Sequence, residues 1–164
     1  MNTNETPLKA ASRLNRIKAV SKVLRAIFLA ALIVQVVGIL ASVVTIPIAV
    51  LTGIKSQIVF KNCSVGAALP FAFMVTLNFF RFFSRLKEGH LFDAQTVRHL
   101  EVAGKWWIVL GIIQIIFQSL EAYTFSPQNI NISGSGVVAG LIVFFVAWVF
   151  REAQALQEEQ ELTV

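Results

Sequence analysis

The sequence predicts an all-α integral membrane protein, a four-helix transmembrane bundle with both chain ends in the cytoplasm. Three observations carry this expectation. Hydrophobic residues make up 56% of the 164 residues and charged residues 14%, against about 25% charged in an ordinary soluble domain. With a mean hydropathy of +0.72, too little polar surface exists to cover the chain, and a bilayer removes that need. Four apolar stretches each approach the ~20 residues that cross a ~30 Å hydrocarbon core. Finally, twelve of the fourteen Lys and Arg residues fall on one side of those stretches, the side retained in the cytoplasm.

Residues 1–25 form a cytoplasmic basic segment. Thr6 is placed to cap a helix whose first residue is Pro7. Leu8, Ala11, Leu14, Ile17, Ser21 and Leu24 recur at helical spacing among Lys9, Arg13, Arg16, Lys18, Lys22 and Arg25. A basic amphipathic helix of this kind lies among anionic headgroups. The first span is 26–52, too long an apolar run for a cleaved signal peptide. An outer loop, 53–64, holds only Lys55 and Lys61 as basic residues, and the second span is 65–83.

The cytoplasmic loop 84–105 contains Arg85, Lys87, Arg98 and Lys105. Gly89 ends the preceding helix there, Asp93 is an N-cap, and Phe92 with Val97 forms a hydrophobic staple across it. Glu101 and Lys105 stand at pairing distance along the new helix. Trp106 and Trp107 open the third span, 106–123, at headgroup level. The outer loop 124–131 carries Ser126, Pro127, Asn129 and Asn131, and the fourth span is 132–150. The acidic tail 151–164 favours helix, and its Glu158, Glu159 and Glu161 could pair with the basic segment on the same side.

Chemistry-bearing patterns are few. No span has a central ionisable residue; Arg81 lies near a cytoplasmic end and Glu121 near an outer one. Coupled carriers keep a charge at mid-membrane, so this argues against a transporter. No nucleophile–base set, phosphate loop or metal motif occurs, so no enzyme, cofactor or metal is expected. His90 and His99 lack further ligands at metal spacing, and Cys63 is the single cysteine. The polar residues inside the spans are Gln35, Asn78, Gln114 and Gln118. The first three lie roughly 8–12 Å deep at 1.5 Å per residue, a common depth that permits an interhelical amide cluster. Gly136 and Gly140 form a small-xxx-small pair for close helix packing, against another span or a second copy of the chain.

Three segments resemble a bacterial family of membrane proteins, the domain-of-unknown-function family 2975. They are Lys87-Glu-Gly-His-Leu-Phe-Asp93, Val97-Arg-His-Leu-Glu-Val-Ala-Gly104 and Leu156-Gln-Glu-Glu-Gln-Glu-Leu-Thr-Val164. The resemblance implies a multi-pass protein of the bacterial cytoplasmic membrane, often encoded beside a small helix-turn-helix regulator, and supplies no catalytic residues. The expected function is a non-enzymatic membrane regulator or sensor with a cytoplasmic protein partner. The alternatives are a small transporter or channel subunit using the amide layer, and an envelope stress or immunity protein. The expected partners are the lipid bilayer, a cytoplasmic protein and a second copy of the chain, with no direct nucleic-acid contact.

Overall fold

The computed structural model describes the backbone of residues 7–88, 93–125 and 132–162, with the side chains of 15–156 and 159 among them. Four α-helices account for almost all of it: α1 (Pro7–Leu51), α2 (Ser56–Glu88), α3 (Ala94–Phe125) and α4 (Ser135–Leu162). All four contain stretches long and apolar enough to cross a membrane, so the chain is a multi-pass membrane protein. Large apolar side chains such as Val34, Leu40, Val43, Ile142 and Phe145 stand exposed on the helix surfaces. In water that would be a liability; in lipid it is the solvated state.

The helices run well beyond the predicted spans. α1 has 45 residues, about 68 Å at 1.5 Å per residue, more than twice the hydrocarbon thickness. The basic segment is therefore the first part of one uninterrupted helix with the first span. α2 begins at Ser56, inside the segment predicted as outer loop, because Gln57, Lys61, Asn62 and Ser64 can continue a helix into the headgroup layer. α1 ends in a Schellman turn. Gly53, at φ 65°, gives its N–H to Val50 at 3.4 Å, and Ile54 gives its own to Ala49 at 3.3 Å.

Backbones approach within 8 Å between chain neighbours only, α1 with α2, α2 with α3 and α3 with α4, among the described residues. The four-helix assembly is thus serial, with α2 and α3 inside and α1 and α4 flanking. Aromatic rings set the first two seams. Phe28 stacks on Phe79 and Phe83 at 5.3 and 5.4 Å, and Arg25 lies over Phe80. Across the next seam Phe71 meets Trp106 and Phe79 meets Trp107, both at 5.8 Å.

The α3–α4 seam is built from glycine. A Cβ added at Gly111 would sit 2.5 Å from the Val137 nitrogen, and one at Gly140 would sit 2.6 Å from the Ile108 nitrogen. Gly136 and Gly140 therefore pack against α3 of their own chain. Gly104, one heptad before Gly111, receives Phe144 in the same way. At the end of α2, α3 and α4 that lies nearest the chain termini, Phe82, Leu100 and Ala147 close a small buried cluster.

Asp93 occupies the N-cap position of α3. Its carbonyl oxygen accepts from Thr96 at 2.9 Å and Val97 at 3.2 Å, while its carboxylate accepts from Arg85 at 2.7 Å. Asp93→Ala is expected to cost on the order of 1 kcal/mol and to speed amide exchange at residues 94–100. Asp93→Asn, which keeps a capping oxygen, should lose less. Unchanged exchange in the alanine variant would remove the capping role. Thr6, Gly89, His90, Phe92, residues 126–131 and Val164 lie outside the described residues, as do the side chains of Glu158 and Glu161.

Candidate functional site

The predicted amide cluster does not form. Gln35 donates through Nε2 to Thr76 Oγ1 at 2.9 Å, across the α1–α2 seam. Asn78 turns back on its own helix, donating to the Met74 carbonyl at 2.8 Å. Gln114 is exposed beside Gly136. Gln118 accepts from the Ser133 N–H at 2.8 Å and so fixes the start of α4. The cause is topological: α1 does not approach α3, so equal depth cannot bring Gln35 to Gln114. Gln35 Oε1 is left buried without a partner. Among the described residues the α1 and α4 backbones likewise do not approach within 8 Å, while the Glu158 and Glu161 side chains predicted to pair with the basic segment lie outside the described residues.

The polar chemistry gathers instead at the end of the assembly where α2 leads into α3. Arg85 binds the Asp93 carboxylate at 2.7 Å and also donates to Gln95. Glu101 accepts from Lys105 at 2.7 Å, one turn along α3, and from Arg151 of α4. The Arg151 contact ties α4 to α3 just beyond the glycine seam. The opposite end holds Lys61 with Glu121 at 3.4 Å.

Among the described residues, two of the recesses at this end hold several polar groups. One, about 350 Å³, is lined by Asn78, Arg81, Gln95, Arg98, His99 and Val102. The other, about 410 Å³, includes Arg98, Glu101, Lys105, Arg151 and Gln154. They differ in electrostatics. In the second, Glu101 balances the cations, and the hydrogen bond from Lys105, with Arg151 nearby, holds its carboxyl below the usual range. In the first, no acid lines the wall among the described residues. Burial, and then the charges of Arg81, Arg85 and Arg98, push the His99 imidazole below its ordinary 6.5, so it is neutral at pH 7.

The lowered Glu101 value fixes the sign of a pH effect. A depressed carboxyl contributes stability that is complete above its unfolded value, near 4.5, and is lost as pH falls through the folded value. Glu101→Gln is therefore expected to destabilise the α3–α4 contact at pH 7 by no more than about 1 kcal/mol, since Lys105 and Arg151 are open to solvent. The difference from the parent protein should vanish well below pH 4. A constant difference across that range, read from denaturant unfolding, would mean the ion pairs carry none of it.

The Glu101–Lys105 pair follows from sequence spacing, whereas Arg151 joins it from fifty residues away and leaves no local signal. The first recess does leave one. Asn78, Arg81 and Arg85 lie at i, i+3 and i+7 on α2, and Gln95, Arg98, His99 and Val102 at i, i+3, i+4 and i+7 on α3. Two polar faces on consecutive antiparallel helices must meet if the hairpin is tight. Among the described residues, no three His, Cys, Asp or Glu side chains group as metal ligands. Cys63 is a free, half-buried thiol.

No curated protein and no solved structure matches the chain. A family model does match, over residues 56–164. That stretch takes in α2, α3 and α4, the glycine seam and both recesses, and leaves α1 outside. With two thirds of the sequence aligned, the chain belongs to the family described as "Protein of unknown function (DUF2975)".

Proposed function

We propose that this protein is a non-enzymatic regulator or sensor of the bacterial cytoplasmic membrane, acting through its cytoplasmic face on a protein partner. One observation carries the reading. Most ionisable groups among the described residues, both recesses, the start of α1 and the end of α4 collect at one end of the assembly, where Arg25 meets Phe80 and Arg151 meets Glu101. The membrane-crossing portions between the two ends hold no charge. Gln35, Asn78 and Gln118 each bond to a different partner and Gln114 is exposed, a dispersal that counts against a polar solute path and so against a transporter. Basic-residue asymmetry supports placing this end in the cytoplasm.

α4 continues as helix to Leu162, well past its last apolar turn, through a sequence rich in Glu and Gln that suits a cytoplasmic partner. Deleting residues 152–164 should leave membrane insertion intact and reduce the crosslinked yield of a cytoplasmic partner. Full-length and truncated protein are compared in native membranes at equal expression. The reading fails if neither captures a cytoplasmic protein above a control membrane protein of similar charge.

A further inference from the structure

We propose that the recess lined by Asn78, Arg81, Arg98 and His99 binds a phosphate-bearing anion, either a lipid headgroup or a soluble phosphate. The proposal deepens the regulator reading by naming the chemistry of its signal, and rests on that reading only for its purpose.

Charge balance is the first argument. The nearby acids are committed elsewhere, Asp93 to Arg85 and Glu101 to Lys105 and Arg151. Among the described residues, no acidic side chain lines the recess. Arg81 and Arg98 make no salt bridge among the described residues and both are exposed; Arg98 lies near enough to Glu101 to help lower its carboxyl, so Arg81 is the less compensated of the two. Two guanidiniums from opposing helices form a clamp suited to a tetrahedral anion with several acceptor oxygens.

Local structure adds to the attraction. Gln95, Arg98 and His99 belong to the first two turns of α3, which begins at Ala94, so the positive end of the helix dipole lies beside the cavity. The neutral His99 imidazole and the amide of Gln95 can each donate a hydrogen bond. The cavity of about 350 Å³ is large enough for a phosphate ester. Its height fits both sources. Arg81 lies near the end of the second span, and Trp107 is eight residues, roughly 12 Å, along α3 from His99, which puts the recess among the headgroups and open to the cytoplasm.

His99 is the reporter. An anion seated between Arg81 and Arg98 favours the imidazolium and raises its pKa. The full chain carrying His90→Gln, so that His99 is the single imidazole, is purified in maltoside micelles, which contain no phosphate. Imidazole NMR titrations are recorded in sodium chloride, with inorganic phosphate at equal ionic strength, and with phosphatidylglycerol doped into the micelles. His99 is expected to titrate at higher pH in at least one phosphate-containing arm than in chloride. A shift with phosphate alone identifies a soluble ligand, one with lipid alone a headgroup, and one with both the shared chemistry. Arg81→Gln and Arg98→Gln, tested singly because both side chains are exposed and dispensable for packing, should each weaken the response about tenfold in ligand concentration. The site is overturned if neither arm differs from chloride, or if the shift survives unchanged in both arginine variants. Failure here leaves partner capture by the tail unaffected, so the two readings fall separately.

Discussion

Gly111→Leu is expected to separate α4 from α3 and to give the largest loss of stability of any single substitution in the membrane-crossing part of the chain. A Cβ at position 111 would stand 2.5 Å from the Val137 nitrogen and 2.7 Å from the Gly136 carbonyl carbon. Both are backbone atoms of the facing helix and cannot rotate away. Overpacking usually costs about 1–3 kcal/mol, and more where the obstructing atoms are fixed. Helix propensity runs the other way, since glycine to alanine gains up to about 1 kcal/mol in a helix interior. The sign of Gly111→Ala therefore discriminates: contact predicts a loss, propensity a gain. Gly134→Leu is the control, because nothing lies within 4 Å of a Cβ there. Unfolding in mixed detergent, followed by helicity, reads all three variants. If Gly111→Ala matches or exceeds the parent protein, the helices do not meet as described. The effect should propagate to Glu101, because Arg151 reaches it only while α4 lies against α3.

How much of this was legible depends on which coordinate a residue type reports. Apolar runs report depth, and each of the four helices contains a stretch long and apolar enough to cross a membrane. Glycine spacing reports a close approach, and Gly136 with Gly140 forms one. Neither reports which helix stands beside which. Gln35 and Gln114 share a depth, yet α1 never reaches α3, and the true partner of Gln35 is Thr76, a residue whose hydroxyl is also satisfied by its own helix through Ala72. Serial packing is the information the sequence lacked. A closed ring would have brought α1 to α4 and with it the basic segment to the tail. The arginine recess is the opposite case. Its two polar faces could be read from helical spacing on either side of the 89–92 connection, because a short connection leaves antiparallel neighbours no other arrangement. What hid it is that Arg81 stands out in the sequence only as a charge near a span end, and His99 only as half of a pair without further metal ligands.

Thiol labelling from outside intact cells is expected to give an all-or-none pattern, with cysteines at Ser56 and Ser135 labelled and cysteines at Gln95 and Glu152 silent. The native thiol at Cys63 is first replaced by serine. The fold reduces the question to one bit. Arg25 packs on Phe80, Arg85 on Asp93 and Arg151 on Glu101, so these groups share one end; Lys61 and Glu121 mark the other. Only two orientations of the whole assembly exist, and charge selects between them. One end and its extensions carry twelve Lys and Arg residues, the other carries Lys55 and Lys61, of which Lys61 is paired with Glu121 at 3.4 Å. Inverting the assembly would move the dense end outward against a membrane potential that opposes each cation by about 2.3 kcal/mol per 100 mV. Insertion is decided while the helices emerge, and basic flanks within reach of each span are held back at every hairpin. Uniform labelling at all four positions would indicate mixed orientation and defeat the charge argument. Labelling of Gln95→Cys with Ser56→Cys silent would invert the assembly and open the Arg81–Arg98 recess to the exterior, where neither a cytoplasmic partner nor a cytoplasmic phosphate could reach it.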